Sequence, residues 1–184
     1  TPLFTGVDVS EIKELNDSNY NPNGCTALYD GINNCIESIK EQQGTKDKNA
    51  AVLIIVLTDG MENASKTINS SALGEKVKSL EESGKWTFTL MGPSDQVKNM
   101  ASILNVKAGN ISGFDVNSVK SRAGAGAAMR SSIGSYFSLR SQGIEQVDSF
   151  YKKEEKIDSE IDVKPAIDVK NTFFTGQFTI ESKN

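Results

Sequence analysis

Two oxygen-bearing side chains stand at the ends of predicted elements, where they could bind a metal ion. Asp59 follows closely on an apolar run, and Thr26 lies between a turn containing Pro22 and Gly24 and an amphipathic segment. Hydroxyl and carboxylate oxygens are hard ligands that Mg²⁺ accepts in octahedral geometry together with several waters. The residue types therefore predict a metal site formed by Thr26 and Asp59 that holds Mg²⁺, with Mn²⁺ or Ca²⁺ as alternatives.

Each of these residues also has a purely structural interpretation. A threonine before an amphipathic helix is commonly its N-cap, and an Asp-Gly pair after a strand is often only a turn. Glu62 and Asn63 follow Asp59 and could contact the metal or a partner, although residues in such loops are more often solvated turn formers. The metal hypothesis therefore depends on Thr26 and Asp59 acting together.

An enzymatic role is the least favoured interpretation. Asp59 could act as a nucleophile, because an aspartate can form an acyl phosphate, but the sequence has no second acid or lysine motif beside it. The chain has no histidine, which excludes a Ser-His-Asp or Cys-His nucleophile system and every His-containing zinc site. We therefore do not expect catalysis.

The elements that position Thr26 and Asp59 can be read from the hydrophobic pattern. The stretch 51–57 is apolar throughout, which is typical of a central parallel strand covered on both faces. Residues 26–43 predict an amphipathic helix. Its inward stripe comprises Leu28, Ile32, Cys35, Ile36 and Ile39. Because ligands collect beyond the carboxyl ends of parallel strands, Asp59 is placed where a site is expected.

Helices and strands alternate up to about residue 140. The predicted elements are a helix carrying Leu73, Val77 and Leu80 that ends at Gly84, a strand from Trp86, a helix capped by Ser94 or Asp95, a short strand near 110–116, and a helix over 117–140. This last helix is expected to turn Val119, Ala123, Gly126, Met129, Ile133 and Phe137 inward, its glycines and alanines allowing close approach to a sheet. The order predicts an α/β fold with a doubly wound, mostly parallel sheet.

The chain is expected to divide at about residue 140. Residues 1–140 carry the α/β pattern, and residues 141–184 form a C-terminal extension. Within it, 151–165 is charged and only weakly periodic, which favours a solvated linker or an exposed helix over a binding surface. Its last part, 171–183, alternates apolar and polar residues around Gly176, which predicts a hairpin or an added edge strand.

Composition limits the partners and the compartment. The formal net charge is −4 over 184 residues, with lysines scattered among acids, which argues against a nucleic-acid partner. No apolar run approaches the roughly 20 residues needed to span a bilayer. Cys25 and Cys35 would lie on one helix, too far apart for a disulfide. Free thiols weakly favour the cytoplasm.

Two motifs resemble the von Willebrand factor A domain, particularly its bacterial and phage intracellular versions. Residues 22–32, "PNGCTALYDGI", are similar to the turn and Thr-Ala-Leu-Tyr-Asp helix of that family, and residues 54–65, "IIVLTDGMENAS", to its strand closing on Thr-Asp-Gly. Residues 89–116 are similar to the strand, helix and short strand that complete such domains. The resemblance covers about residues 1–140 and implies a metal-ion-dependent adhesion site (MIDAS) in which Thr26 and Asp59 are ligands.

The family's Asp-x-Ser-x-Ser strand is not found in this chain. The stretch "VDVSEI" contains Asp8 and Ser10 but has Ile12 where a second serine belongs, and residues 1–15 correspond better to the family's third strand. The domain is therefore expected to be N-terminally incomplete. An upstream segment or another chain would complete the sheet, and this chain alone would bind Mg²⁺ weakly.

The resemblance implies a protein-binding module in which an acidic group of a partner completes the coordination of Mg²⁺. The alternative is a structural or assembly module of a phage or bacterial complex, in which the fold is kept and the site has lost its metal. The two differ in whether Asp59 is needed for partner binding.

Overall fold

Strands and helices alternate along the chain in the computed structural model, which describes residues 4–14, 16, 18, 25–42, 49–59, 61–151 and 176–178. The strands are β1 (Phe4–Val7), β2 (Val52–Leu57), β3 (Trp86–Pro93), β4 (Ile111–Phe114) and β5 (Gly176–Phe178). The α-helices are α1 (Leu28–Glu41), α2 (Ser70–Glu82), α3 (Val97–Ile103) and α4 (Val119–Ser141). Short 3-10 helices cover Val9–Glu11 and Ala108–Asn110. The predicted alternation between α1 and α4 is confirmed.

Strands β2, β3 and β4 form a parallel three-stranded sheet in that spatial order. Val52 lies opposite Trp86 and Leu57 opposite Met91 in the first pair of strands. The sheet with its helices confirms the α/β character and the parallel pairing. Within the described part of the chain, β3 is the central strand and β2 an edge strand. A central position of β2 requires the expected upstream segment or other chain beside it and stays a prediction. Sequence pattern reports burial of the strand's faces, and it does not report pairing at its edges.

Two groups of side chains pack against β2. The main core cluster comprises Leu28, Ile32, Cys35, Ile36, Ile54, Leu73, Val77, Trp86, Phe88, Leu90, Val97, Met100, Ala101 and Leu104, drawn from α1, α2, α3, β2 and β3. Leu53 and Ile55, which alternate with Ile54, pack instead with Tyr136 of α4 and with Val147 and Phe150. Successive strand residues point to opposite faces, so both faces of β2 are packed. A doubly wound topology stays a prediction.

Helix α1 matches its predicted inward stripe. Leu28, Ile32, Cys35 and Ile36 are buried, and Ile39 packs against the same core as a partly buried residue. Cys25 is exposed and Cys35 is buried, and both are free thiols, as expected.

One expectation about the later helices is wrong and another is confirmed in part. The N-cap of α3 is Gln96, which makes no side-chain cap bond, so neither Ser94 nor Asp95 caps it. In α4, Met129, Ile133 and Phe137 of the predicted inward face pack against core clusters as partly buried residues, whereas Val119 is 73 % exposed. The fully buried residues of α4 are Ala125, Ser132 and Tyr136.

The α4 glycines do not bring the helix close to the sheet. A Cβ built on Gly124 or Gly134 would meet nothing within 4 Å. The polar and apolar residues of α4 are mixed around the helix, so its sequence pattern selects a face only weakly. Packing against Met91 and Phe114 buries Ala125, with the predicted Met129 partly buried beside it.

The chain beyond α4 continues to pack on the domain up to Tyr151. Val147 and Phe150 are buried. The Asn110 side chain donates to the Val147 carbonyl at 2.9 Å and accepts the Phe150 N–H at 2.8 Å. The predicted domain boundary at residue 140 is not tested by this observation and stays a prediction.

The two ends of the chain meet in a second sheet. Strand β5 pairs antiparallel with β1, with Phe4 opposite Phe178 and Val7 opposite Gly176. This agrees with an added strand around Gly176. The predicted linker or helix over 151–165 lies outside the described residues after Tyr151, as does the rest of 171–183. Within 1–15, the strand ends at Val7, and the Asp8 carboxylate accepts both the N–H and the hydroxyl of Ser10.

No helix among the described residues combines the length and the apolar character that a membrane-spanning segment needs.

Candidate functional site

Asp59 lies just past the carboxyl end of β2, as predicted. Its side chain is exposed. The preceding residue, Thr58, is 6 % exposed, and its N–H donates to the Met91 carbonyl at 3.1 Å. The chain therefore stays hydrogen-bonded to β3 for one residue beyond the end of β2. Asp59 comes next and is exposed at the edge where the strands end.

Thr26 is tied to the loop that follows Asp59. The Thr26 N–H donates to the side-chain oxygen of Asn63 at 2.8 Å, and the Asn63 N–H donates to the Thr26 carbonyl at 3.0 Å. Thr26 is only 2 % exposed. The structure therefore brings the segments that carry Thr26 and Asp59 to the same end of the sheet.

Thr26 is not the N-cap of α1. The N-cap is Ala27, and its side chain makes no cap bond. The first backbone N–H groups of a helix have no acceptor within the helix. In α1 the loop after Asp59 supplies these acceptors. The Glu62 carboxylate accepts the Tyr29 N–H at 2.9 Å, and the Ser65 hydroxyl accepts the Asp30 N–H at 3.0 Å. The capping interpretation of Thr26 is wrong because distant loop residues take that role.

Residues 61–68, which we call the docked loop, are folded around the Glu62 carboxylate. One carboxylate oxygen accepts the Ala64 and Ser65 N–H groups at 2.8 and 2.7 Å. The other accepts the Ser65 hydroxyl at 2.6 Å in addition to the Tyr29 N–H. Partial burial raises the pKa of Glu62, but the hydrogen bonds from Ser65, Tyr29 and Ala64 outweigh it and leave the pKa below its usual value.

Asp30 of α1 makes the reciprocal connection. Its carboxylate accepts the N–H groups of Lys66, Thr67 and Ile68 at 2.8, 3.0 and 3.1 Å. The bond from Lys66 is the largest influence and lowers the pKa of Asp30, against a smaller opposing effect of desolvation. Two carboxylates, one on each side, thus join α1 and the docked loop.

The oxygen donors that these elements present match the hard ligands expected for Mg²⁺. Thr26 carries a hydroxyl and Asp59 a carboxylate. The Glu62 carboxylate accepts three backbone N–H groups and the Ser65 hydroxyl. Among the described residues, no group of three or more His, Cys, Asp or Glu side chains is placed to hold a metal ion. A cation held by Thr26 and Asp59 would therefore take its remaining ligands from water or from a partner.

Sequence reasoning missed the role of Asp30 and underestimated Glu62 and Asn63. Glu62 is half-buried and Asn63 is exposed, and both bond to the segment that begins α1, so they do more than form a solvated turn. The only local signal was the cluster of small polar residues after Asp59. The pairing of that cluster with Asp30 joins residues 36 to 38 positions apart, which no local spacing encodes.

Comparison of the chain with protein-family models, with curated proteins and with solved structures finds no match. The resemblance to the von Willebrand factor A domain therefore rests on residues 22–32 and 54–65. In the structure these two stretches are the ones joined by the Thr26–Asn63 and Tyr29–Glu62 hydrogen bonds.

Proposed function

We propose that the chain is a von Willebrand A-like, doubly wound domain that binds another protein through a MIDAS-type site. In this function Thr26 and Asp59 hold Mg²⁺, and an acidic group of the partner completes its coordination. The single observation that carries the proposal is the docking of the loop after Asp59 onto the segment that contains Thr26. The two motifs that suggested the family are in contact, although the bonded pairs Thr26–Asn63 and Tyr29–Glu62 lie 37 and 33 positions apart in the sequence.

Each residue has a defined task in this proposal. The bound cation supplies positive charge that neutralises a partner carboxylate. The Asp59 carboxylate, at the exposed rim, contributes the negative charge that attracts the cation. The Thr26 hydroxyl contributes a neutral oxygen, and the residue that carries it is buried. Two protein ligands leave most of an octahedron to water, so the chain by itself binds Mg²⁺ weakly.

The test is calorimetric titration of the chain with MgCl₂ and MnCl₂. Wild-type protein is expected to bind weakly, Asp59→Ala to lose binding, and Thr26→Val, which removes only the hydroxyl at similar size, to weaken it. Asp95→Ala is the matched control, because Asp95 is also an exposed aspartate but lies in the turn after β3. Binding that is unchanged in both Asp59→Ala and Thr26→Val would refute the site.

A second candidate is a structural or assembly module without a metal. It is favoured by the apolar surface beside Asp59, where Leu57 is 58 % and Met61 is 59 % exposed. Strand β2 pairs only with β3 among the described residues, and an edge strand made of apolar residues alone favours pairing with an added strand. Another chain, or an upstream segment, would then complete the sheet.

The two candidates make opposite predictions for the same pair of variants. A metal-free assembly module keeps its partner when Asp59 becomes alanine and loses it when Leu57 becomes lysine. A MIDAS-type module loses its partner with Asp59→Ala, and also when EDTA removes divalent cations. Pull-down of a partner identified with wild-type protein, repeated with both variants, separates them.

A further inference from the structure

We infer that Glu62 and Asn63 are positioning residues that fix Thr26 relative to Asp59 without binding the cation themselves. The inference rests on the proposed function and adds two residues to its site. It predicts that cation affinity depends on side chains that never contact the ion.

The first step concerns the capacity of the Glu62 carboxylate. An ionised carboxylate offers about four lone-pair sites to hydrogen-bond donors. In this structure the two oxygens accept the N–H groups of Tyr29, Ala64 and Ser65 and the Ser65 hydroxyl. A cation could bind Glu62 only by displacing donors that hold the docked loop to α1. Glu62 is therefore committed to the loop and unavailable as a ligand.

The second step concerns the two hydrogen bonds between Asn63 and Thr26. Asn63 uses its side-chain oxygen for the Thr26 N–H and its own N–H for the Thr26 carbonyl. Both backbone polar groups of Thr26 are therefore held by one residue, which fixes the peptide planes on either side of the Thr26 Cα. The direction from which its side chain leaves the backbone is set by Asn63.

The third step relates the Asn63–Thr26 hydrogen bonds to the position of Asp59. Asn63 lies four positions after Asp59, and a stretch of that length spans at most about 14 Å when fully extended. The Glu62 bonds to the Ala64 and Ser65 N–H groups lie just beyond Asn63, and the Tyr29 N–H joins the same carboxylate to the start of α1. The span between Asp59 and the anchored residue Asn63 is thus limited by the length of this short stretch.

Holding ligands in place before the ion arrives lowers the ordering cost of binding. Loss of residues that orient metal ligands from the outer shell typically costs about 10- to 100-fold in metal affinity. We expect a loss of that order when Asn63 no longer holds Thr26, with both candidate ligands, Thr26 and Asp59, still present.

The experiment compares Mn²⁺ affinity, measured by electron paramagnetic resonance of free Mn²⁺, in three variants. Asn63→Ala is expected to weaken binding by about 10-fold or more. Asn63→Asp is expected to bind at least as well as wild type, because its carboxylate accepts the same N–H. Asn33→Ala is the control: it also removes an asparagine bond, that from Lys76 at 2.6 Å, and it should leave Mn²⁺ affinity unchanged.

Amide hydrogen exchange supplies the readout of positioning. In Asn63→Ala the Thr26 amide is expected to exchange faster, and in Asn63→Asp to stay protected. If Asn63→Ala does not fold, Glu62→Gln replaces it, with faster exchange at Tyr29 and Ala64 and the same loss of affinity expected.

Failure of this inference is distinguishable from failure of the proposed function. Equal Mn²⁺ affinity in wild type and Asn63→Ala overturns the positioning role and leaves the Thr26–Asp59 site standing. Absence of Mn²⁺ binding in the wild type, or binding that survives Asp59→Ala, overturns the site itself and the inference with it.

Discussion

The Glu81 carboxylate accepts the Phe88 N–H at 3.3 Å from a side chain that is only 5 % exposed. This bond joins the last turn of α2 to the central strand of the sheet. Burial is the largest influence and raises the pKa of Glu81 above 4.5, while the Phe88 bond and Lys107 oppose the rise and Asp148 adds to it. A buried acid with a raised pKa makes ionisation costly in the folded state.

Replacing Glu81 with glutamine should stabilise the protein at neutral pH. The folded-state pKa of Glu81 lies above its unfolded value, so the folded state loses stability as pH rises through the interval between them. Glutamine keeps an oxygen for the Phe88 N–H and has no charge to bury. We expect Glu81→Gln to raise the urea midpoint at pH 7 relative to wild type and to make no difference well below pH 4.5.

Glu75, an exposed residue of α2, is the matched control, and Glu75→Gln should leave the midpoint unchanged at both values of pH. A lower midpoint for Glu81→Gln at pH 7 would show that the charged carboxylate stabilises the fold.

The docked loop predicts the opposite pH dependence. Asp30 and Glu62 both have lowered pKa values in the folded state. Their contribution is therefore fully present above the ordinary values of 3.8 and 4.5 and is lost as pH falls through the lowered ones. Hydrogen bonds to charged groups contribute about 1.5–3 kcal/mol, so Glu62→Gln should lower the free energy of unfolding at pH 7 by about 1–3 kcal/mol.

Urea unfolding followed from pH 7 to pH 2 measures this effect. Glu62→Gln should flatten the acid limb of the stability profile, because one of the carboxylates that titrates there is gone. Glu41→Gln, an exposed glutamate at the end of α1, should reproduce the wild-type profile. Parallel profiles for wild type and Glu62→Gln would contradict the predicted role.

Two glycine-to-alanine changes should have effects of opposite sign. A Cβ on Gly74 of α2 would lie 2.6 Å from the backbone oxygen of Ile103, so Gly74→Ala forces α2 away from the end of α3 and should destabilise the protein by about 1–3 kcal/mol. A Cβ on Gly124 of α4 meets open space, so Gly124→Ala should stabilise it by about 0.5–1 kcal/mol. Thermal unfolding of both variants checks the prediction, and destabilisation by Gly124→Ala would place that part of α4 against a neighbour.

The core itself can be tested with one buried and one exposed residue. Leu73 has no exposed surface, and Val119 is 73 % exposed. Leu73→Ala should cost about 2–5 kcal/mol through lost burial and the cavity left behind, whereas Val119→Ala should stay within about 0.5 kcal/mol of wild type. A large effect at Val119 would extend the packed face of α4 to the start of the helix.

Elements with a strong periodic signal could be predicted from the sequence. The α1 stripe from Leu28 to Ile36 and the strand that begins at Trp86 are set by hydrophobic spacing, and the structure confirms them. The packed face of α4 could be predicted only in part: Met129, Ile133 and Phe137 pack as expected. Toward the start of the helix, alanine, serine and glycine on all sides leave packing partners such as Phe114 to decide which residue is buried.

The candidate site was predictable at Asp59 and less so around it. The apolar pattern predicts that Asp59 follows the end of a strand, and the structure places it just past β2. The contacts of Asp30 with Lys66 and of Asn63 with Thr26 depend on how two distant segments meet. Such contacts follow from the tertiary fold, and a single sequence contains no periodic signal for them.

The packing of Val147 and Phe150 has a consequence for limited proteolysis. A fragment cut after residue 140 would lose both apolar side chains from the surface formed by Tyr136, Leu53 and Ile55. It would also lack the Val147 carbonyl and the Phe150 N–H, which are the hydrogen-bond partners of the Asn110 side-chain amide. Protease-resistant fragments of this protein should therefore keep the chain at least through Tyr151, whose N–H donates to the Gly109 carbonyl.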